Sequence, residues 1–407
     1  MNQTPRGVDD ILAELDERRT IDPDVHGAHL FGLVYPTGHE EIEDLVRSVY
    51  DRFLFSNALN PLRFREQATI ERELLNSIST LLNREVRAVP PGAMTSGGTE
   101  SILMSMLTSR SRAHARGVER PTILAPASAH PAYAKAAHFF EMDFVQIPLD
   151  DCYRADVTAA RSLMTDATCV IVANAYSYPH GVLDPVAELA GLAHERGIDC
   201  HVDACIGGFI LPFLEELGDD IPPWDFRVEG VTQISIDVHK YGYVPKGASA
   251  VLHRDDGWAR LQPFFYDRWG AGLYATPAIA GARAAAPIVA AWAVIEYLGR
   301  DGYRSLVEEL RTTTARLRAG IEAIDGLEIV GDPIGPLLAV TSSTVDLYGV
   351  ADLLEGQGWF LNRNTDPVGL HLMLSPAHRL VVDELVEAIA GAVAQRPVGR
   401  GEVPRYS

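Results

Sequence analysis

The feature that most constrains this chain's fold is an alternation. Between residues 66 and 300 six short apolar runs, "TILAP", "DFVQIPL", "CVIVANA", "DCHVDA", "QISIDV" and "ASAVLH", are separated mostly by helical patterns such as "VAELAGLAHERG". Continuous apolar runs of this length predict strands buried on both faces. Strands that alternate with helices predict an α/β fold with a largely parallel, doubly covered sheet. In such sheets ligands sit beyond the carboxyl ends of the strands, where loops converge.

The flanks fit around that core. Residues 1–65 predict an N-terminal helix and loop segment, with "VDDILAELDERR" and "EEIEDLVRSVYDRFLFS" carrying apolar residues at helical spacing. Residues 66–305 form the expected large domain and 306–407 a small C-terminal α+β domain that opens with "YRSLVEELRTTTARLRAGIEAI". With 47% hydrophobic residues among 407, the chain can bury a sizeable core. The net charge of −20 and the lack of clustered Lys and Arg disfavour a nucleic-acid partner. The N-terminus has no continuous apolar core of a signal peptide, which predicts a cytosolic protein. The most apolar stretch, residues 278–299, contains Arg283 and Pro287 and is rich in alanine, so it predicts a buried helix and no transmembrane span. Cys152, Cys169, Cys200 and Cys205 show no zinc spacing and predict free thiols and no metal site.

Three loops carry the candidate chemistry. In "TSGGTES", residues 95–101, Gly97 and Gly98 let the backbone approach a ligand, Thr99 adds a hydroxyl, and the next helix offers free N–H groups to an anion; the same residues also suit an ordinary helix N-cap. In "HVDACIGGF", Asp203 ends an apolar strand and either caps the following turn or holds a positively charged ligand atom. In "SIDVHKYGYVPKG", Lys240 and Lys246 lie in a run with almost no other charge. An anion cradle, a carboxylate and a lysine beside a histidine are what pyridoxal phosphate needs. The cradle takes the phosphate, Asp203 keeps the pyridine nitrogen protonated, and a lysine forms the Schiff base.

The segments "TSGGTESILM", "PASAH", "YPHGVLDP", "HVDACIGGFILPF", "DFRVEGVTQISIDVHKYGYVPKGASAVL" and "GLYATPAIAGAR" resemble the sphingosine-1-phosphate lyase family, among the fold-type I pyridoxal-phosphate enzymes related to the group II amino-acid decarboxylases. The resemblance implies a large, mostly parallel, seven-stranded-type sheet domain followed by a small C-terminal domain. It makes Lys240 the Schiff-base lysine and Lys246 a second cation in the substrate pocket. It stacks His130 on the cofactor ring, where the imidazole can also shuttle protons. His239 reaches the cofactor phosphate or orients Lys240, and Thr276 in "YATP" completes the phosphate site of a partner subunit, which implies a homodimer with shared active sites. Tyr241 and Tyr243 are candidates for acid–base work or for aromatic packing, and His180 for a place near the cofactor or in turn packing.

Two family motifs are altered. The lyases' "SGAVY" tyrosine is matched here to Leu30 in "HGAHL", and the histidine of "NPLH" to Arg63 in "NPLR", and the glycine-rich tail with a further tyrosine is not recognisable. Arg63 has a planar fork that suits a carboxylate or phosphate, or it forms a surface ion pair, and Lys246 keeps an anionic amine as the expected substrate. Two reactions are open, carbon–carbon cleavage of a 2-amino-3-hydroxy substrate, which the closeness of the motifs favours, and as the alternative decarboxylation of an α-amino acid. The bond held perpendicular to the ring decides between them. A non-catalytic binding protein of the same fold is the reading from another class, and intact Asp203, His130 and Lys240 count against it.

Overall fold

A computed structural model describes residues 4–399; the ends of the expected N-terminal segment and small domain, residues 1–3 and 400–407, lie outside the described residues. Three helices lead in: α1 (Val8–Arg19), α2 (Glu40–Phe53) and α3 (Arg65–Leu81). Then come strand β1 (Gly92–Thr95), helix α4 (Gly98–Ala115), and strands β2 (Thr122–Pro126), β3 (Asp143–Ile147), β4 (Thr168–Asn174), β5 (Asp199–Asp203), β6 (Gln233–Asp237) and β7 (Ser249–His253). All six strands expected from the apolar runs are present. The seventh, β1, is not among them. Its four residues "GAMT" are too few to show a pattern, and only pairing with β7 makes them a strand.

The seven strands form one sheet in the order β1-β7-β6-β5-β4-β2-β3. Strands β2 to β6 pair in parallel, whereas β7 runs antiparallel to both its neighbours, β6 and β1. Strand β1 therefore runs with β6, and the carboxyl ends of β1, β4, β5 and β6 share one edge. Strands β2, β4, β5, β6 and β7 are buried along their whole length, as continuous apolar runs covered by helices on both faces require.

After β7 a hairpin, β8 (Phe264–Tyr266) and β9 (Tyr274–Thr276), precedes a long helix, Ala286–Glu322. The expected helix over 278–299 thus starts eight residues late. Pro287 lacks an N–H and suits the first helical turn, so the residues before it remain loop. Gly299 breaks the helix with φ 55°, and the second half leads into the small domain. There β10 (Glu328–Ile329), β11 (Leu337–Thr341), β12 (Asn362–Thr365) and β13 (Val368–Met373) form an antiparallel sheet in the order β10-β11-β13-β12. No helix among the described residues is long and apolar enough to cross a membrane.

Candidate active site

The shared carboxyl edge opens into a cavity of about 390 Å³. Gly97, Gly98 and Thr99 enter it from the β1–α4 turn, Asn174 from the end of β4, Asp203 from the end of β5, and Asp237, His239 and Lys240 from the end of β6; His130 and Lys246 complete the wall. The β4–β5–β6 register places Asn174 opposite Asp203 and Asp203 opposite Ser235, so three strand ends deliver polar groups to one point.

At Gly98 a Cβ would lie 2.9 Å from both Asp237 carboxylate oxygens and from the Cys205 sulfur. No other residue fits there without displacing the wall, and the bare backbone at the start of α4 is left open to an anion. Asp203 is 8% exposed and accepts from the Cys205 amide at 3.1 Å and the Tyr133 hydroxyl at 3.4 Å. Lys240 Nζ lies 3.0 Å from Asp237 Oδ2, while Asp237 Oδ1 has no hydrogen-bond partner. Burial opposes charge on both, yet the mutual attraction wins: the lysine is held well above its ordinary pKa and the carboxyl below its own.

Burial favours the neutral form of the two cavity histidines, lowering His130 and pushing His239 down to about 4 against the pull of nearby carboxylates. His130 Nδ1 accepts the Ala132 amide at 3.1 Å, so the neutral ring carries its proton on Nε2. Lys246 donates to the His239 carbonyl at 3.3 Å and sits 4.6 Å from the Tyr35 ring centroid. Loss of solvent, then the Lys240 charge, lowers Lys246 to about 8.

Five expected positions fall outside this cavity. Tyr243, held at φ 59°, stacks on Tyr303 and lines only an adjoining apolar cleft, while Tyr241 is buried with its hydroxyl donating to the Leu374 carbonyl at 2.8 Å. His180 packs on Tyr153 and bonds the Asp366 carbonyl at 2.9 Å, a contact that docks the small domain. Arg63 is exposed on the loop between α2 and α3. Thr276 is buried, its hydroxyl donating to the Ala278 and Ala280 carbonyls. Neither Arg63 nor Thr276 lines the cavity of its own chain.

The match of Leu30 to the family tyrosine is corrected. Leu30 bridges to Phe360, and His29 stacks on Trp359, so this segment braces the small domain. Five residues on, "FGLVY" carries the same Gly-x-Val-Tyr pattern. Gly32 at φ 79° and Leu33 at φ 65° turn the chain so that Tyr35 lines the cavity beside Lys246. Tyr35, and not Leu30, is therefore the residue at the cavity wall. Asn174 and Asp237 were missed as well, although both end apolar strands, the signal that singled out Asp203.

Residues 66–341 match the family model described as the pyridoxal-dependent decarboxylase conserved domain. The Arabidopsis thaliana sphingosine-1-phosphate lyase is 38% identical over 386 residues, 92% of this chain and 71% of that protein. The solved sphingosine-1-phosphate lyase of Burkholderia pseudomallei superposes with a TM-score of 0.92 at 33% identity, covering 97% of this chain and 92% of that one. A Lactobacillus brevis glutamate decarboxylase superposes at 0.83 with 21% identity over 99% of this chain and 96% of that one, a likeness of fold alone. The cradle, the strand-end carboxylates and the lysine fit pyridoxal 5'-phosphate, and this chain belongs to the sphingosine-1-phosphate lyase family of pyridoxal-phosphate-dependent carbon–carbon lyases.

Proposed function

We propose that this lyase splits the Cα–Cβ bond of a phosphorylated or otherwise anionic 2-amino-3-hydroxy substrate, giving an aldehyde and an amine. The observation that carries this reading is the pairing of Lys246 with Tyr35 at the wall of the cavity that holds Lys240. A cation and a hydroxyl there suit an anionic head group next to the reacting carbon.

Bound pyridoxal phosphate supplies an electron sink for the pair released when the bond breaks. In this reading Gly97, Gly98 and Thr99 would hold its phosphate, Asp203 would keep its ring nitrogen protonated, and His130 and Lys240 would complete its site. With substrate bound, the Lys240 amine would take the hydroxyl proton, and Asp237 at 3.0 Å would stabilise the resulting ammonium. One proton returns to Cα, so the substrate's atoms divide between aldehyde and amine with nothing added. His130, with Nδ1 occupied by a backbone amide, acts through its Nε2–H as a donor and not as the base.

Thr276 and Arg63 belong, in the same proposal, to the site of a second copy. On the β8–β9 hairpin and the α2–α3 loop Phe55, Leu62, Phe265, Trp269 and Leu273 are 98%, 79%, 61%, 56% and 69% exposed, apolar side chains suited to a homodimer interface. A cytosolic location is part of the proposal, supported by an acidic charge that disfavours an anionic membrane surface.

The test compares a phosphorylated 2-amino-3-hydroxy compound with its unphosphorylated parent. The wild type should prefer the phosphorylated form by at least about tenfold in kcat/KM. Tyr35→Phe and Lys246→Met should erode that preference and Leu30→Ala should leave it; equal use of both compounds by the wild type would reject the anionic head group.

A further inference from the structure

Glu100 lies in the first turn of α4, is 7% exposed, and uses its two carboxylate oxygens on different segments. Oε2 accepts from the Ser96 amide and the Ser96 hydroxyl, each at 2.7 Å. Oε1 accepts from the Ile279 amide at 2.9 Å and the Ala280 amide at 3.2 Å. The first pair fixes the residue that begins the glycine cradle. The second fixes the turn after β9, where the Thr276 hydroxyl donates to the Ala278 and Ala280 carbonyls. Helix capping accounts for the first pair only.

Further along, Arg283 ties the same loop to β1 by donating to the Met94 carbonyl at 2.9 Å, and it pairs with Glu71 at 3.1 Å. The loop from Thr276 to Arg283 is thus pinned at both ends to the elements that shape the cradle.

We propose that Glu100 is a positioning residue for the cofactor phosphate, making the glycine cradle and the turn that carries Thr276 move as one body. The inference rests on the reading that the phosphate lies at Gly97, Gly98 and Thr99. Four hydrogen bonds to one buried carboxylate outweigh the burial that opposes its charge, and they hold it ionised. Because Thr276 does not line the cavity of its own chain, Glu100 links the cradle of one site to the residue offered to the other in the proposed shared-site dimer.

Glutamine is the informative replacement: its Nε2 cannot accept, so Glu100→Gln breaks one of the two connections at nearly constant volume. Apoenzyme is titrated with pyridoxal 5'-phosphate and, separately, with pyridoxal, following the visible chromophore, thermal unfolding and hydrogen exchange of the Ile279 and Ala280 amides. In the wild type, pyridoxal 5'-phosphate should slow exchange at both amides and pyridoxal should not. Glu100→Gln should keep its melting temperature within a few degrees, bind pyridoxal 5'-phosphate about tenfold more weakly, bind pyridoxal unchanged, and lose the loading-dependent protection. Wild-type exchange at the turn that ignores the phosphate overturns the proposal, whether or not the variant folds, and so does a folded variant with unchanged affinity. Absence of any chromophore on the wild type instead overturns the placement of the cofactor itself.

Discussion

At the scale of single residues, environment separates groups that look alike in the sequence. Lys240 and Lys246 are six positions apart, yet one faces Asp237 at 3.0 Å and the other faces an aromatic ring and a carbonyl. The carboxylate raises the first, and loss of solvent lowers the second to about 8. A lysine with a lowered pKa is charged below that value and neutral above it. The kcat/KM for an anionic substrate should therefore fall as pH rises through about 8, and Lys246→Met should flatten that limb of the profile while lowering its plateau. A profile still rising past pH 9 in the wild type would remove Lys246 from substrate binding. The histidines separate in the same way: His130 lies in the cavity, whereas His180, whose motif suited a place near the cofactor or turn packing, is used to dock the small domain.

At the scale of elements, the site is a property of strand ends. Lys240, Asp203 and the glycine turn were legible because each follows or precedes an apolar run and differs from it in chemistry. Asp237 and Asn174 obey the same rule and were passed over, since neither residue type suggested a role by itself. Tyr35 was hidden by a repeated pattern: "HGAHL" and "FGLVY" are five residues apart, and only their placement, Leu30 bridged to Phe360 and Tyr35 in the cavity wall, tells them apart. Strand β1 was illegible because its four residues take their conformation from pairing with β7. The turn it feeds is tight enough to predict that Gly98→Ala, which puts a methyl 2.9 Å from the Asp237 carboxylate, gives a folded protein that loses cofactor on gel filtration. Full retention would show that the wall there yields.

At the scale of the whole molecule, the fold leaves two faces unbalanced. The carboxyl edge gathers buried charge, and the β8–β9 hairpin with the loop before α3 exposes large apolar side chains around one shallow cavity lined by Asn60, Phe265 and Thr276. Phe265→Asp should convert a dimer to a monomer by sedimentation and reduce turnover with it; an unchanged sedimentation coefficient would move the interface elsewhere. The large sheet and its helices follow from hydrophobic periodicity, but the proposed dimer interface does not, because exposed aromatics in a hairpin carry no period. The reaction is tested most directly by mass analysis of products from the cofactor-loaded enzyme and a mixture of phosphorylated 2-amino-3-hydroxy compounds and α-amino acids. Carbon–carbon cleavage of the anionic substrate predicts an aldehyde paired with 2-aminoethyl phosphate, whereas an amine lighter than its parent amino acid by one CO2, with no aldehyde, would contradict it.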